Sequence, residues 1–158
     1  MTRGTQKAVE VGEQAPDFEL KDQHGRPVRL ASFRGREAVL LVFYPFAFTG
    51  VCGGELHALE GVHADLAARG VALLALSVDS MYAQRVFAER EGFTFPLLAD
   101  FWPHGAVASA YGVFHQDAGV ARRGTFLIDR QGTVRWTVLN EIPDARDIDE
   151  VTKAVAAL

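Results

Sequence analysis

The residue with the clearest chemical potential is Cys52, the one cysteine of the chain. It follows the apolar run 38–43, and helical spacing of apolar residues begins near Gly50 and lasts until Arg69 and Gly70. A strand, a turn and a helix start would therefore place the thiol in the first turn of a helix. Free N–H groups and the positive end of the helix dipole favour a thiolate there, and the thiolate is the nucleophilic form.

A free cysteine is more often a small buried hydrophobe than a reactive group. Here the flanking residues Gly50, Gly53 and Gly54 leave the backbone around the sulfur bare, which suits the close approach of a small ligand. Glycine also weakens a helix by up to about 1 kcal/mol per residue relative to alanine. We therefore hypothesise that Cys52 is a catalytic nucleophile.

Three further side chains have the spacing to act with Cys52. Thr49 precedes it by three residues, so its hydroxyl could cap the helix and also hydrogen-bond the thiolate. Pro45 ends the apolar strand and could shield the sulfur from bulk water, or it could have only a structural role. Glu55 follows by three residues and projects from the same side of the helix start. It could orient an arginine, or interact only with the helix dipole.

A carboxylate near the sulfur opposes thiolate formation, so a cation is expected close by. Arg122 and Arg123 stand directly before a strand that begins at Gly124. If that strand lies beside strand 38–43, one of the two arginines reaches the Cys52 loop. The residues alone do not choose between them.

The sequence gives little support for other catalytic mechanisms. The five histidines are scattered, and His57 lies five residues after Cys52, on the wrong helix face for a Cys–His pair. Phosphate-binding glycine motifs are absent. One cysteine excludes an internal disulfide and a multi-thiolate metal site. We expect neither a metal site nor a cofactor.

The order of elements predicts how these residues are positioned. A hairpin leads into strand 38–43, which is apolar at every position and should be buried on both faces. Alternating helices and strands follow, then a second hairpin and a terminal helix over 144–158. This alternation predicts an α/β sandwich with a mixed sheet. The chain reads as a single domain, 1–158, with residues 1–10 loosely ordered.

Composition narrows the function classes. The chain has 158 residues, 49% of them hydrophobic and 23% charged, with a formal charge of −4. This charge gives no general attraction for nucleic acid or an anionic membrane. The N-terminus is polar, and no apolar stretch has the length of a membrane helix. A cytoplasmic, reducing location is expected.

Two separated motifs identify a family resemblance. Pro45-x-x-x-Thr49-x-x-Cys52 resembles the active-site motif of peroxiredoxins, and the segment 123–129 resembles the one that carries the active-site arginine of that family. The segment 15–18 resembles the usual N-terminal segment. Three further segments, 46–52, 93–98 and 100–107, resemble the alkyl hydroperoxide reductase E subgroup of actinobacteria.

The resemblance implies a thioredoxin-like fold with peroxiredoxin insertions, in which helices flank a central mixed β-sheet. It implies that Cys52 is the peroxidatic cysteine and that Thr49 and Arg123 activate it through hydrogen bonds. Pro45 would be the shield, and the backbone N–H groups of Val51 and Cys52 would hold the peroxide. The choice of Arg123 over Arg122 rests on the resemblance.

Glu55 and Tyr44 complete the candidate substrate-binding set. Tyr44 stands directly before the proline, where the subgroup often has phenylalanine.

The implied function is a one-cysteine, thiol-dependent peroxidase. It would reduce hydrogen peroxide, organic hydroperoxides and peroxynitrite, and leave Cys52 as a sulfenic acid. An external thiol must resolve that acid, either mycothiol with a mycoredoxin or a thioredoxin-type donor. A homodimer or a higher homo-oligomer is expected.

Two alternatives remain. A thiol–disulfide oxidoreductase of thioredoxin fold normally needs Cys-x-x-Cys, and Glu55 occupies the second position. A non-catalytic oligomeric scaffold or holdase would make Cys52 incidental.

Overall fold

A computed structural model describes residues 7–158. The strands are β1 (Glu19–Lys21), β2 (Pro27–Arg29), β3 (Ala38–Phe43), β4 (Val71–Ser77), β5 (Leu97–Ala99), β6 (Phe114–His115), β7 (Val120–Ala121), β8 (Arg123–Ile128) and β9 (Val134–Asn140). The helices are α1 (Gly50–Ala68), α2 (Met81–Glu91), α3 (Ala106–Ala110) and α4 (Ile148–Ala156), with a short 3-10 helix at Leu30–Phe33.

Five strands form the central sheet, in the order β5-β4-β3-β8-β9. The pairs β3–β4 and β4–β5 are parallel, whereas β3–β8 and β8–β9 are antiparallel. Every residue of β3 is buried, as its continuous apolar run predicts, because a hydrophobic cluster covers each face of the sheet. The predicted α/β fold with a mixed sheet and flanking helices is confirmed.

The strand register positions the candidate site. Phe43 pairs with Leu76, so β3 and its parallel neighbour β4 end at the same edge of the sheet. The antiparallel β8 begins at that edge, because Val42 pairs with Thr125. Arg123, two residues before Thr125, therefore lies beside the connection from β3 to α1.

Helix α1 has the predicted extent and apolar face. Leu56, Leu59 and Leu66 are buried, and Val62 packs against the same cluster. The terminal helix is shorter than its predicted range of 144–158, because Asp147 caps it and the residues before Asp147 form a loop. That loop contributes a side chain and a backbone carbonyl to the candidate site.

Two segments need separate mention. The short hairpin β6–β7 was not predicted, since two-residue strands carry almost no periodic signal. Within the segment 1–10, residues 1–6 lie outside the described residues. Val9 is buried, and its N–H donates to the carbonyl of Tyr111 at 3.1 Å, so this part of the segment is packed on the core.

No helix among residues 7–158 is long and apolar enough to cross a membrane.

Candidate active site

Cys52 lies in the first turn of α1 and is only 1% exposed. Arg123 donates from Nη1 to the Cys52 sulfur at 3.3 Å. Arg123 is therefore the arginine that contacts the sulfur. The residue pattern alone could not choose between Arg122 and Arg123. A guanidinium at this distance stabilises negative charge on the sulfur.

Glu55 joins two buried arginines. One of its carboxylate oxygens accepts a hydrogen bond from Arg123 Nη1, and the other accepts the backbone N–H of Arg146 at 2.7 Å. The Arg146 side chain also pairs with Glu55, at 3.3 Å from Nε. Glu55 is 3% exposed and both of its oxygens are occupied, so its carboxylate orients the two arginines. Contact between Glu55 and a substrate stays a prediction from the sequence.

Arg146 is the site residue that sequence reasoning missed. It is buried in the loop before α4, and its Nη2 donates to the Phe43 carbonyl at the end of β3. Burial lowers the pKa of Arg146 to about 10, although the neighbouring Glu55 acts in the opposite direction. The guanidinium therefore stays protonated at neutral pH. A single arginine in a polar segment that was assigned to a helix offered no signal of this role.

The charges of Cys52, Arg123, Glu55 and Arg146 balance when Cys52 is a thiolate. Arg123 and Arg146 supply two positive charges against the Glu55 carboxylate, which leaves one positive charge for a thiolate at Cys52. Buried ions are tolerated when paired in this way. The loop before α4 also fixes Arg123, whose Nε donates to the Ile142 carbonyl at 2.5 Å.

Thr49 is the N-cap residue of α1 by its extended backbone, but its hydroxyl makes no capping hydrogen bond. It donates instead to the carbonyl of Phe46 at 3.1 Å. The prediction of a hydroxyl cap is therefore wrong. The Thr49 carbonyl accepts the N–H of Gly53 at 2.8 Å, which is the first hydrogen bond of the helix.

The backbone ahead of Gly53 presents donors. The N–H groups of Val51 and Cys52 precede the first intrahelical bond, so the helix itself gives them no acceptor. The Val51 side chain is 41% exposed, whereas Pro45 is buried at the end of β3. Free N–H donors at a helix start can bind a small anionic or oxygen ligand, and binding of peroxide by Val51 and Cys52 stays a prediction.

Tyr44 lies in the hydrophobic core. It is fully buried, and its hydroxyl donates to the side-chain carbonyl of Gln84 in α2. Burial raises the pKa of Tyr44 well above its usual value. The side chain thus anchors the loop start to α2, and its contact with a substrate stays a prediction from the sequence.

The structure has two surface cavities of interest. A cavity of about 490 Å³ adjoins the outer side of the α1 start, lined by Phe48, Thr49, Gly50, Gly53, Gly54, His57, Phe87, Arg90 and Glu91. A larger cavity of about 600 Å³ lies at the opposite sheet edge and includes Arg69, Arg130 and Trp136. Only the smaller one contacts a candidate site residue. Across residues 7–158, no cluster of histidine, cysteine or acidic side chains could hold a metal ion.

Comparisons with known proteins agree with these motifs. A family model described as the AhpC/TSA family matches residues 11–137. The alkyl hydroperoxide reductase E proteins of Mycobacterium bovis and Mycobacterium tuberculosis are 48% identical to this chain over 150 residues, covering 95% of this chain and 98% of theirs.

Solved structures share the fold. Peroxidoxin BcpB from Mycobacterium tuberculosis matches with a TM-score of 0.84 and 31% identity, over 94% of this chain and 97% of that one. The reduced 2-Cys peroxiredoxin of Plasmodium vivax matches with a TM-score of 0.84 and 32% identity, over 93% and 80% of the two chains.

Proposed function

The chain belongs to the AhpC/TSA family of peroxiredoxins and is a thiol-dependent peroxidase, and on this premise we propose that Cys52 is the residue that peroxide oxidises. The observation that carries this proposal is the hydrogen bond from Arg123 Nη1 to the Cys52 sulfur. No other cysteine exists in the chain to take the role.

In the first half-reaction the Cys52 thiolate attacks one peroxide oxygen, an S–O bond forms and the O–O bond breaks. The leaving oxygen takes the electron pair. It gains a proton and departs as water from hydrogen peroxide or as an alcohol from an organic hydroperoxide, whereas peroxynitrite releases nitrite. Cys52 is oxidised to a sulfenic acid. Arg123 and the N–H groups of Val51 and Cys52 supply fixed donors for the charge that moves onto the peroxide oxygens.

In the second half-reaction an external thiol condenses with the sulfenic acid, which releases water and forms a mixed disulfide at Cys52. A second thiol then attacks the external sulfur of this mixed disulfide, forms a new disulfide with it and releases Cys52 as a thiol. Mycothiol with a mycoredoxin, or a thioredoxin-type donor, is the proposed reductant.

The proposed substrates are hydrogen peroxide, organic hydroperoxides and peroxynitrite. Phe46 and Phe48 stand in the loop before Cys52 with 44% and 52% of their surfaces exposed, which favours contact with the apolar part of an organic hydroperoxide. We place the reaction in the cytoplasm and in a homodimer or higher homo-oligomer.

The two alternatives are weaker. Glu55 stands where a thioredoxin-type enzyme needs its second cysteine, and its side chain is committed to Arg123 and Arg146. A scaffold role would not require a guanidinium at the Cys52 sulfur. The rate at which peroxide oxidises Cys52 separates this role from catalysis.

Stopped-flow oxidation of the reduced protein tests the proposal. We expect wild type to consume hydrogen peroxide far faster than a free thiol and to gain one oxygen at Cys52 by intact mass. Cys52→Ser should abolish both, because it removes the nucleophile. Full peroxide consumption by Cys52→Ser, or a free-thiol rate for wild type, would contradict the assignment.

A further inference from the structure

We propose that Asp79 is a positioning residue for the peroxide reaction, whose carboxylate holds the loop between β3 and α1 in its reactive arrangement. The loop, residues 44–49, carries Pro45 and Thr49. The inference rests on the proposed role of Cys52 and adds to it the group that keeps this loop closed over the site.

The contact is direct. Asp79 Oδ2 accepts the backbone N–H of Ala47 at 2.8 Å. The same oxygen accepts the hydroxyl of Ser77 at 2.6 Å, and the Asp79 N–H donates back to the Ser77 hydroxyl oxygen at 3.2 Å. Since Ser77 is the last residue of β4, the sheet itself orients the carboxylate.

Other loop contacts lead to the same part of the molecule. Tyr44 hydrogen-bonds Gln84, and the Phe48 ring packs on Phe87 with ring centroids 5.1 Å apart. Phe48 has a φ of +64°, a strained value for a bulky residue, which persists only where the surroundings impose it. The loop is thus held against α2 and the β4–α2 connection, and Asp79 supplies its charged anchor.

Ala47 lies five residues before Cys52, in the loop that leads directly into the first turn of α1. Both residues are buried, with exposures of 7% and 1%. A displacement of Ala47 therefore shifts the backbone that positions the sulfur. In the closed arrangement the buried sulfur is accessible to a small peroxide only, whereas a larger external thiol needs the loop to open.

Removal of Asp79 should therefore affect two rates in opposite directions. We expect Asp79→Ala to slow peroxide oxidation of Cys52 at least about tenfold, because a hydrogen bond to a charged group fixes the loop. We expect labelling of reduced Cys52 by a bulky maleimide to accelerate by a similar factor. Labelling at about pH 9.5, where an ordinary thiol is ionised, keeps this rate a measure of access.

Asp79→Asn should lie between wild type and Asp79→Ala in both rates, because an amide oxygen can still accept from Ala47 but forms a weaker hydrogen bond than a carboxylate does. Ser77→Ala should change both rates in the same directions as Asp79→Ala but less, and it carries the test if Asp79→Ala does not fold. Asp17→Ala is the matched control. Asp17 likewise accepts one backbone N–H, that of Ala31 at 2.9 Å, and one side-chain donor, and it precedes Phe18 of the other hydrophobic cluster.

Opposite changes in the two rates for Asp79→Ala, absent in Asp17→Ala, would establish the positioning role. Rates within about twofold of wild type, or equal changes in the Asp17 control, would overturn it. Loss of stability alone would move Asp17→Ala and Asp79→Ala together. If wild type itself reacts no faster than a free thiol, the proposed role of Cys52 fails instead.

Discussion

The sulfur of Cys52 shares a buried charge group with Arg123, Glu55 and Arg146. Glu55 accepts from both arginines, so its carboxylate compensates one of the two guanidinium charges and a Cys52 thiolate would compensate the other. Removing one member of such a group leaves a buried charge exposed to its full desolvation cost. The same carboxylate that would oppose a thiolate in isolation therefore holds in place the donor that stabilises it.

At this scale we predict that Arg123→Ala slows oxidation of Cys52 by about 10²- to 10³-fold, the usual effect of losing one donor to developing oxygen charge. Second-order rate constants from stopped-flow mixing with hydrogen peroxide provide the measurement.

Arg122→Ala is the matched control, since it removes the adjacent guanidinium, which makes no described contact with the sulfur. Its rate should remain near wild type. Equal losses in the two variants would show that general positive charge, and not the Arg123 contact, drives the reaction.

The first turns of α1 affect both the stability of the helix and the space beside Cys52. Gly53 and Gly54 lie in its first two turns, and a Cβ added at either would meet no atom within 4 Å. Packing in the folded chain therefore does not require glycine there. The bare backbone instead leaves room beside Cys52 and keeps the helix start weak.

We predict that Gly53→Ala and Gly54→Ala each raise the free energy of unfolding by about 0.5–1 kcal/mol, because alanine loses less backbone entropy in a helix. Urea denaturation measures the gain. If the open face serves the approach of the external thiol, both variants should also regenerate Cys52 more slowly.

Gly61→Ala provides the control on the same helix, as a Cβ there also meets nothing within 4 Å. It should stabilise the protein to a similar extent without changing the regeneration rate. Slower regeneration in Gly61→Ala would assign the effect to helix stability and not to the bare face near Cys52.

At the scale of the whole molecule, acidic side chains that stabilise turns make the fold sensitive to acid. Although burial raises the pKa of Asp129, hydrogen bonds from the Thr133 backbone, the Arg135 side chain and the Gln131 backbone outweigh it and lower the pKa below the usual 3.8. The folded state then binds fewer protons than the unfolded state. Stability contributed by this group is present above the unfolded pKa and is lost as the pH falls through the folded pKa.

We predict that the free energy of unfolding falls as the pH drops from about 5 to below 3, and that Asp129→Asn flattens this dependence. Urea titrations at several pH values measure it. The Glu89→Gln variant, an exposed change on α2, should retain the wild-type slope. An unchanged slope in Asp129→Asn would assign the acid sensitivity to other carboxylates.

Local patterns of apolar residues predicted much of the fold. The apolar run of β3 and the spacing of Leu56, Leu59 and Leu66 each depend on neighbours in the chain, so the strand and the helix could be placed. The two-residue strands β6 and β7 were missed because they are too short for a period. The terminal helix was predicted to begin too early, at residue 144, because no glycine or proline lies between Pro143 and its true N-cap, Asp147.

The residue pattern alone places a lone thiol at a helix start, and the family motifs pair this thiol with Arg123. Which oxygens and donors meet depends on the assembled fold. It brought Arg146 to Glu55 across ninety-one residues, turned Tyr44 into the core and set Asp79 against Ala47. Helical and strand periodicity is a property of adjacent residues, whereas these contacts depend on the order and register of β3, β4 and β8, which form only when the whole sheet assembles.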